Sequence, residues 1–293
     1  MSARRGVRQD GRRLVNAHGV LARTAVALVV AGVTMSAHAL RPWLLPSATL
    51  VEGAEPVVSV DAAGSEDLFE FDTVGLDLDE LVVTAPDGTT ARAEGRTASR
   101  RRVSFDVRLP QKGTYRLTGL TDAAMASWKA GGETKRWRGA PAALAGAVPA
   151  DAQDVSVTRQ MQRVETFVSR DSAGTAAPAA KASSGIELQP LDSPTDLSPG
   201  DTTRFRLLLD GRPYANADVT VIRGGNRYRY KMGEIALKTD ADGAFAVTWP
   251  DAGRWWLGAS HGGRRPGADD ARGTVAAPLR REGYAATFEV LPR

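Results

Sequence analysis

From Leu40 onward the chain is dominated by short runs of alternating apolar and polar residues separated by turn residues. "EPVVSVDA", "LDELVVTAPDG", "RRVSFDVRLPQKGTYRLTGL" and "VSVTRQMQRVETFV" carry Val, Leu, Phe and Tyr at strand spacing, with "PDG" and "QKG" as turns. A second series, "GIELQPL", "TTRFRLLLDG", "ADVTVIRG", "GEIALKTDADG", "AFAVTWP", "RWWLGAS" and "YAATFEVL", predicts seven short strands, the spacing of a β-sandwich. Tight turns are expected at Asp210-Gly211 and Asp242-Gly243, because these residues tolerate φ > 0. No stretch of twelve residues shows helical periodicity, although "DAAMASWKAGGETKRW" has room for one turn. Between the two series, "SRDSAGTAAPAAKASS" loses its aromatic and branched residues. The predicted fold is all-β, with two β-sandwich domains of immunoglobulin-like or prealbumin-like type at 40–168 and 185–293 and a linker or loop at 169–184.

One pattern occurs twice. Phe105 to Tyr115 and Phe245 to Trp255 match at Phe, Val, Pro, Gly and the final aromatic, offset by 140 residues. Each copy reads as a hairpin: a strand, a Pro-to-Gly turn and a returning strand that opens with an aromatic. Duplication and convergent use of one hairpin both account for it.

Residues 1–39 have the three parts of a secretory signal. Arg4, Arg5, Arg8, Arg12, Arg13 and Arg23 precede an apolar run from Ala25 to Met35, followed by Ala37-His38-Ala39. The run is about eleven residues, short of the roughly 17 to 25 that cross a bilayer, so the mature chain is expected to be periplasmic, soluble and not membrane-spanning. Arg12-Arg13 lacks most of the pattern that surrounds a twin-arginine motif. Removing the leader takes away six Arg and one Asp, so 38 basic and 34 acidic residues become 32 and 33, and a net charge of +4 becomes −1. The basic excess therefore belongs to the leader, and nucleic acid is not an expected partner. With no Cys in the chain, disulfides, thiolate nucleophiles and Cys-containing zinc sites are all excluded.

Several polar motifs could carry chemistry. Asp61, Glu66, Asp67, Glu70 and Asp72 crowd into "DAAGSEDLFEFD" without the order of an EF-hand; they read as a solvated loop and edge strand or as a cation site. If this stretch is a strand, Asp67, Phe69 and Phe71 share one face. "GGETKRWRG" presents Arg136, Trp137 and Arg138, which either receive a carboxylate or anionic chelate or pair with the acidic cluster. In "RGGNRYRYKMGE", strand alternation would set Tyr228 and Tyr230 opposite Arg227, Arg229 and Lys231, giving a hairpin with a basic exposed face. Trp255 and Trp256 must lie on opposite faces, one in a core and one on an outer face or junction; an exposed Trp pair would also suit a sugar. His261, in "ASHGGRRPGADDARG", is either an exposed loop residue or a metal ligand joined by Asp269 or Asp270. The chain has no Gly-x-Ser-x-Gly elbow, P-loop, Rossmann fingerprint or His-Glu-x-x-His, and the expectation is that it is not an enzyme.

Seven phrases together, "RPWLLPSATLVEG", "VSVDAAGSEDLFEFD", "GGETKRWRG", "RVETFV", "FRLLLDGRPYANADVTVIRGGNRYR", "LKTDADGAFAVTWPDAG" and "YAATFEVLP", resemble the NikM-like family of exported bacterial proteins of unknown function. That family is grouped with the periplasmic component of nickel and cobalt transport systems. The resemblance implies a role in nutrient or metal uptake beside a TonB-dependent receptor or another envelope transport component. It also implies a mature chain opening on His shortly before an aromatic, where an amine and a ring nitrogen chelate one Ni, Co or Cu ion. Here His38 lies five residues before Trp43, and Leu40 stands directly before "RPW". Cleavage after Ala39 puts small residues at −3 and −1 and discards His38, whereas cleavage after Ala37 retains it and puts Met35 at −3. A His-brace copper enzyme would need His38 and a second His, and His261 is the one His outside the leader that could serve. The expected function is a periplasmic ligand-binding accessory to transition-metal or metal-chelate uptake. The candidate metal ligands are His38 and His261, and the candidate ligand-binding residues are Asp61, Asp67, Asp72, Arg136, Trp137 and Arg138. The alternative is a structural or protein-interaction module of the envelope without a metal site.

Overall fold

The computed structural model describes residues 40–76, 78–171, 177–179, 184–262 and 272–292. Residues 1–39, expected as a leader and including His38, lie outside them, as do Asp269 and Asp270 and most of the 169–184 segment. The first half supplies β1 (Arg41–Pro46), β2 (Leu50–Val51), β3 (Val57–Ser65), β4 (Val74–Gly75), β5 (Val82–Thr84), β6 (Thr90–Arg92), β7 (Glu94–Ala98), β8 (Val103–Arg108), β9 (Gly113–Ala130), β10 (Glu133–Gly139) and β11 (Gln153–Arg170). The second half supplies β12 (Ile186–Pro190), β13 (Thr202–Leu209), β14 (Arg212–Pro213), β15 (Asp218–Arg223), β16 (Ile235–Lys238), β17 (Ala244–Thr248), β18 (Gly253–His261) and β19 (Leu279–Val290). The one α-helix described is a single turn, Leu144–Ala147. The molecule is all-β, and each of the seven strands expected after residue 184 is present.

The two halves share a sheet. Its strands run β16-β15-β18-β19-β11-β9-β5-β6, with β11 and β19 parallel and β10 and β2 attached at the sides. One smaller sheet, β1-β3-β8-β7, and another, β12-β13-β14 with β17, pack on it. Alternation along β11 shows how. Val164 and Val168 enter the core formed with Val60, Phe105 and Leu117, while Phe167 enters the core formed with Phe205, Trp249 and Phe288. Successive side chains of a strand point to opposite faces, so the two small sheets cover opposite faces of the shared one. The last eight residues of β11 are all buried, as cover on both faces requires, and the polar ones among them, Arg163, Glu165, Thr166, Ser169 and Arg170, need partners inside the protein.

The repeated pattern is present in space, but it is a corner between sheets and not a hairpin. β8 and β17 belong to the two small sheets, and β9 and β18 belong to the shared sheet. In each copy the Gly that opens the second strand has φ > 0, at Gly113 (119°) and Gly253 (137°). The aromatic two residues later then donates back across the turn: Tyr115 Oη to Gln111 O at 2.8 Å and Trp255 Nε1 to Asp251 O at 3.1 Å. These are versions of the tyrosine corner of β-sandwiches.

Other expectations are corrected. "DAAMASWKAGGETKRW" has no helical turn: β9 runs unbroken to Ala130 and turns at Gly131-Gly132 into β10. β11 continues to Arg170, so the segment expected as a linker from 169 begins as strand. The turn at Asp210-Gly211 is as expected, with φ of 53° and 72°.

Charge is buried where the layers meet. Arg116 and Glu165 are 1% and 0% exposed and pair at 2.6 Å. Glu165 also accepts from Tyr284 Oη at 2.7 Å and Thr118 Oγ1 at 3.1 Å. Arg116 donates onward to the carbonyls of Pro178 and Leu188, which ties the shared sheet to β12. Burial, with the Glu165 carboxylate alongside, pushes the Tyr284 phenol well above its ordinary range.

Candidate functional site

Two segments about 160 residues apart in sequence meet at one cleft. After β3 the chain leaves the sheet at Glu66 and makes an irregular turn to Asp72. Apolar residues in that turn anchor it: Leu68 is buried in a small cluster with Trp43, Ala63 and Ile222, against which Phe69, Phe71 and Met232 pack. The Trp43 ring meets Phe69 and Phe71 edge-on, at 5.8 and 5.4 Å, and its Nε1 donates to Ser65 Oγ at 2.8 Å. Phe69 has φ of 67°. For a bulky residue that conformation costs on the order of 1–3 kcal/mol and persists only where its surroundings enforce it.

The opposing segment follows β15. Gly225 takes φ of 75° and starts a 3-10 turn over Asn226–Tyr228, so the expected basic strand at 227–231 is absent. Strand-like alternation persists in "NRYRYK", but a left-handed residue ends β15 before it. Gly224 admits Phe69: a Cβ there would lie 2.5 Å from the ring. Asn226 joins the two segments, its Oδ1 accepting the Leu68 N–H at 2.8 Å and its Nδ2 donating to Asp67 Oδ1 at 3.0 Å. Arg227 donates from Nε to Asp67 Oδ2 at 3.1 Å and reaches Glu70 at 3.5 Å. The acidic cluster is therefore met by the "RGGNRYRYK" segment and not by "GGETKRWRG".

The cleft has a volume of about 580 Å³ and is lined by Glu66, Asp67, Asp72, Asn226, Arg227, Arg229, Tyr230 and Met232, among others. Clefts that take small molecules run about 300–1,000 Å³. Three carboxylates face two guanidinium groups, which leaves a net negative lining. Burial opposes ionisation of Asp72. Hydrogen bonds from Thr73 and from the N–H groups of Asp67 and Glu66, with the Arg227 charge nearby, outweigh burial and hold its carboxyl below the ordinary range. The Glu66 carboxylate is exposed and has no hydrogen bond or ion pair among the described residues. Tyr230 is fully exposed at the rim, beside an exposed Tyr228.

The other sequence candidates are elsewhere. Asp61 is on β3, held at 2.7 Å by both Arg102 Nε and Ser104 Oγ, and does not line the cleft. Arg136, Trp137 and Arg138 are on β10. His261 ends β18 instead of lying in a loop, and its Nδ1 is 3.0 Å from Tyr214 Oη. Among the described residues no three His, Cys, Asp or Glu side chains are grouped to hold a metal ion. Trp255 fills a core, while Trp256 is half-buried on the other face and donates to Pro42 O at 2.9 Å. Asn226, central to the geometry, was not among the sequence candidates; a Gly-Gly-Asn turn was its only signal.

Residues 36–263 match the family described as Domain of unknown function (DUF4198). No curated protein matches the chain. Similar solved structures include the D0–D1 domain of intimin, with 12% identity, 84% of this chain and 97% of that chain covered, and a TM-score of 0.21. Escherichia coli alpha-2-macroglobulin activated by porcine elastase is 10% identical, with 85% of this chain and 30% of that chain covered, at a TM-score of 0.21. The FN1–FN3 domains of chicken CNTN1 are 6% identical, with 75% and 93% covered, at 0.19. Likeness at this level carries no functional argument.

Proposed function

The chain belongs to the DUF4198 family, and from that premise we propose that it is an exported, non-enzymatic ligand-binding protein of the cell envelope that takes a small cationic solute in the cleft between the 66–72 turn and the 223–232 segment. The observation that carries this reading is the convergence of two distant polar segments, clamped by Asn226 and Arg227, on a net negative cleft of small-molecule size. The strained Phe69 supports it, since such strain collects at ligand clamps. A transition-metal complex, of nickel or cobalt by the sequence resemblance, fits this chemistry as cargo. The described residues offer no three-ligand metal set, so the cation would arrive with its own ligands, which Tyr230 could cover and Glu66 and Asp72 balance in charge. A TonB-dependent receptor or another envelope transport component would be the recipient.

Equilibrium dialysis of the processed protein against Ni²⁺, Co²⁺, Cu²⁺ and Zn²⁺, each as the aquo ion and as its histidine complex, tests the reading. At least one species should bind tighter than about 10 μM, roughly −7 kcal/mol. Weaker binding across the whole set would defeat the metal-cargo reading.

A further inference from the structure

The hairpin formed by β9 and β10 ends in a free edge. β10 pairs with β9 alone among the described strands. Its turn is Gly131-Gly132, with φ of 59° and 82°, the two-residue type I′ form. In such a hairpin the residues flanking the turn, here Ala130 and Glu133, are a hydrogen-bonded pair, and the pairs alternate from there. Glu133, Lys135, Trp137 and Gly139 therefore bond inward to β9. The N–H and C=O groups of Thr134, Arg136 and Arg138 point outward, where no described strand meets them.

The side chains of the same residues sit on one face of the hairpin. Arg136 and Arg138, two positions apart, stand over a shallow trough of about 450 Å³ floored by Met125, Ser127, Ser156 and Thr158. Neither guanidinium has a hydrogen bond or ion pair among the described residues, whereas Lys135 on the opposite face is paired with Glu133 at 2.5 Å. The strand thus presents unpaired backbone and unpaired cationic charge on the same alternate residues.

We infer that the outer edge of β10 is a docking site for an extended acidic segment of a partner protein, which adds to the sheet as a strand. Its backbone pairs with Thr134, Arg136 and Arg138, and two carboxylates spaced i, i+2 on it meet the two guanidinium groups, with the strand supplying affinity and the charges register. Charge disfavours a second copy of this chain as the occupant. The antiparallel self-pairings that use most of the strand are centred on Lys135, Arg136 or Trp137, and they set Lys135 against itself, Arg136 against itself or Arg136 against Arg138; like charges directly opposite destabilise a pair. This inference does not depend on the cleft, which other residues line.

The test uses the processed protein and two capped synthetic heptapeptides, one alternating Glu with Val and one alternating Gln with Val, with citrate as a small-anion control. Hydrogen exchange on the unmodified protein should show slowed exchange at Thr134, Arg136 and Arg138 with the Glu peptide alone. Arg136→Ala/Arg138→Ala should weaken the Glu peptide at least tenfold. So should Thr134→Pro, which removes one outward N–H without changing charge and leaves the inward bonds intact, with citrate binding and melting temperature unchanged. Equal binding of both peptides, no protection at the three amides, or full affinity in a folded Thr134→Pro variant would overturn the inference. The last result would reduce the site to an anion patch, and no binding at all would mean that the charges only guard the edge against aggregation.

Discussion

Replacing Glu165 by Leu should be among the most damaging single changes in the chain. The carboxylate is fully buried and accepts from Arg116, Tyr284 and Thr118, with Arg163 at 3.7 Å. Its loss leaves the Arg116 guanidinium, whose Nη2 already has no partner, buried beside two hydroxyls that lose an acceptor. Breaking a buried pair from one side costs about 3–5 kcal/mol. At roughly 2–4 °C per kcal/mol for a chain of this size, the melting temperature should fall by about 6–20 °C. The same physics says the pair is worth little net against apolar replacements, so Arg116→Met/Glu165→Leu should be more stable than Glu165→Leu alone. Urea denaturation followed by Trp fluorescence measures both, provided the slope stays constant. A Glu165→Leu loss within about 0.5 kcal/mol of zero, or a double variant equal to the sum of its singles, would refute the argument that the charges depend on one another.

Trp43→Ala removes a fully buried ring and should cost about 3–5 kcal/mol; because that ring supports Phe69 and Phe71, cleft affinity should fall by more than the affinity of the β10 edge, measurable by titrating both sites. Gly224→Ala should displace Phe69, 2.5 Å from the new Cβ, and weaken cleft binding with little change at β10. Asp210 is held down to about 2 from 3.8 by hydrogen bonds from Arg280, against a partial burial cost and with help from the Gly185 N–H. A lowered carboxyl stabilises above its unfolded pKa and loses that contribution as pH falls from about 4 to 2. Asp210→Asn keeps the left-handed turn, so its melting-temperature deficit at pH 6 should vanish near pH 2. Since the pair is about 40% exposed, the deficit should be small and shrink in high salt; a deficit independent of pH would contradict the assignment.

Strand identity was legible where burial on one face enforces a period of two: β13, β16 and β17 follow it, and even the alanine-rich 124–128 stretch buries every second residue, whereas β12 and β19 bury successive residues and were legible from their apolar content and flanking turns. The corner motif was legible as a repeat but not as a corner. Strand, turn and strand look alike in sequence whether the strands pair with each other or enter different sheets, and only long-range pairing decides. The shared sheet had a local trace that went unread. Arg116 lies between Tyr115 and Leu117, and Glu165 between Val164 and Thr166, as charges at the alternate positions of strands whose second face is also covered. At the cleft, Asp67 and Asp72 were visible as acids, while Asp61 was visible too and belongs to a different neighbourhood. Proximity in sequence cannot distinguish a residue still on β3 from those in the turn beyond it. The partner segment was visible as basic, but its pairing with the acids spans about 160 residues and runs through Asn226, which carries no charge.

The cleft reading is tested most directly by comparing the wild-type protein without residues 1–39 with its Glu66→Gln/Asp72→Asn variant in equilibrium dialysis against the tightest-binding metal species. Glu66 is exposed and unpaired among the described residues, and an amide at position 72 can still accept from the Asp67 N–H and bond Thr73 Oγ1, so the variant should fold and lose two negative charges where the cargo sits. The account predicts a loss of at least tenfold, with peptide binding at β10 unchanged. Equal affinity in the two proteins would place the cargo elsewhere and contradict the cleft as the binding site.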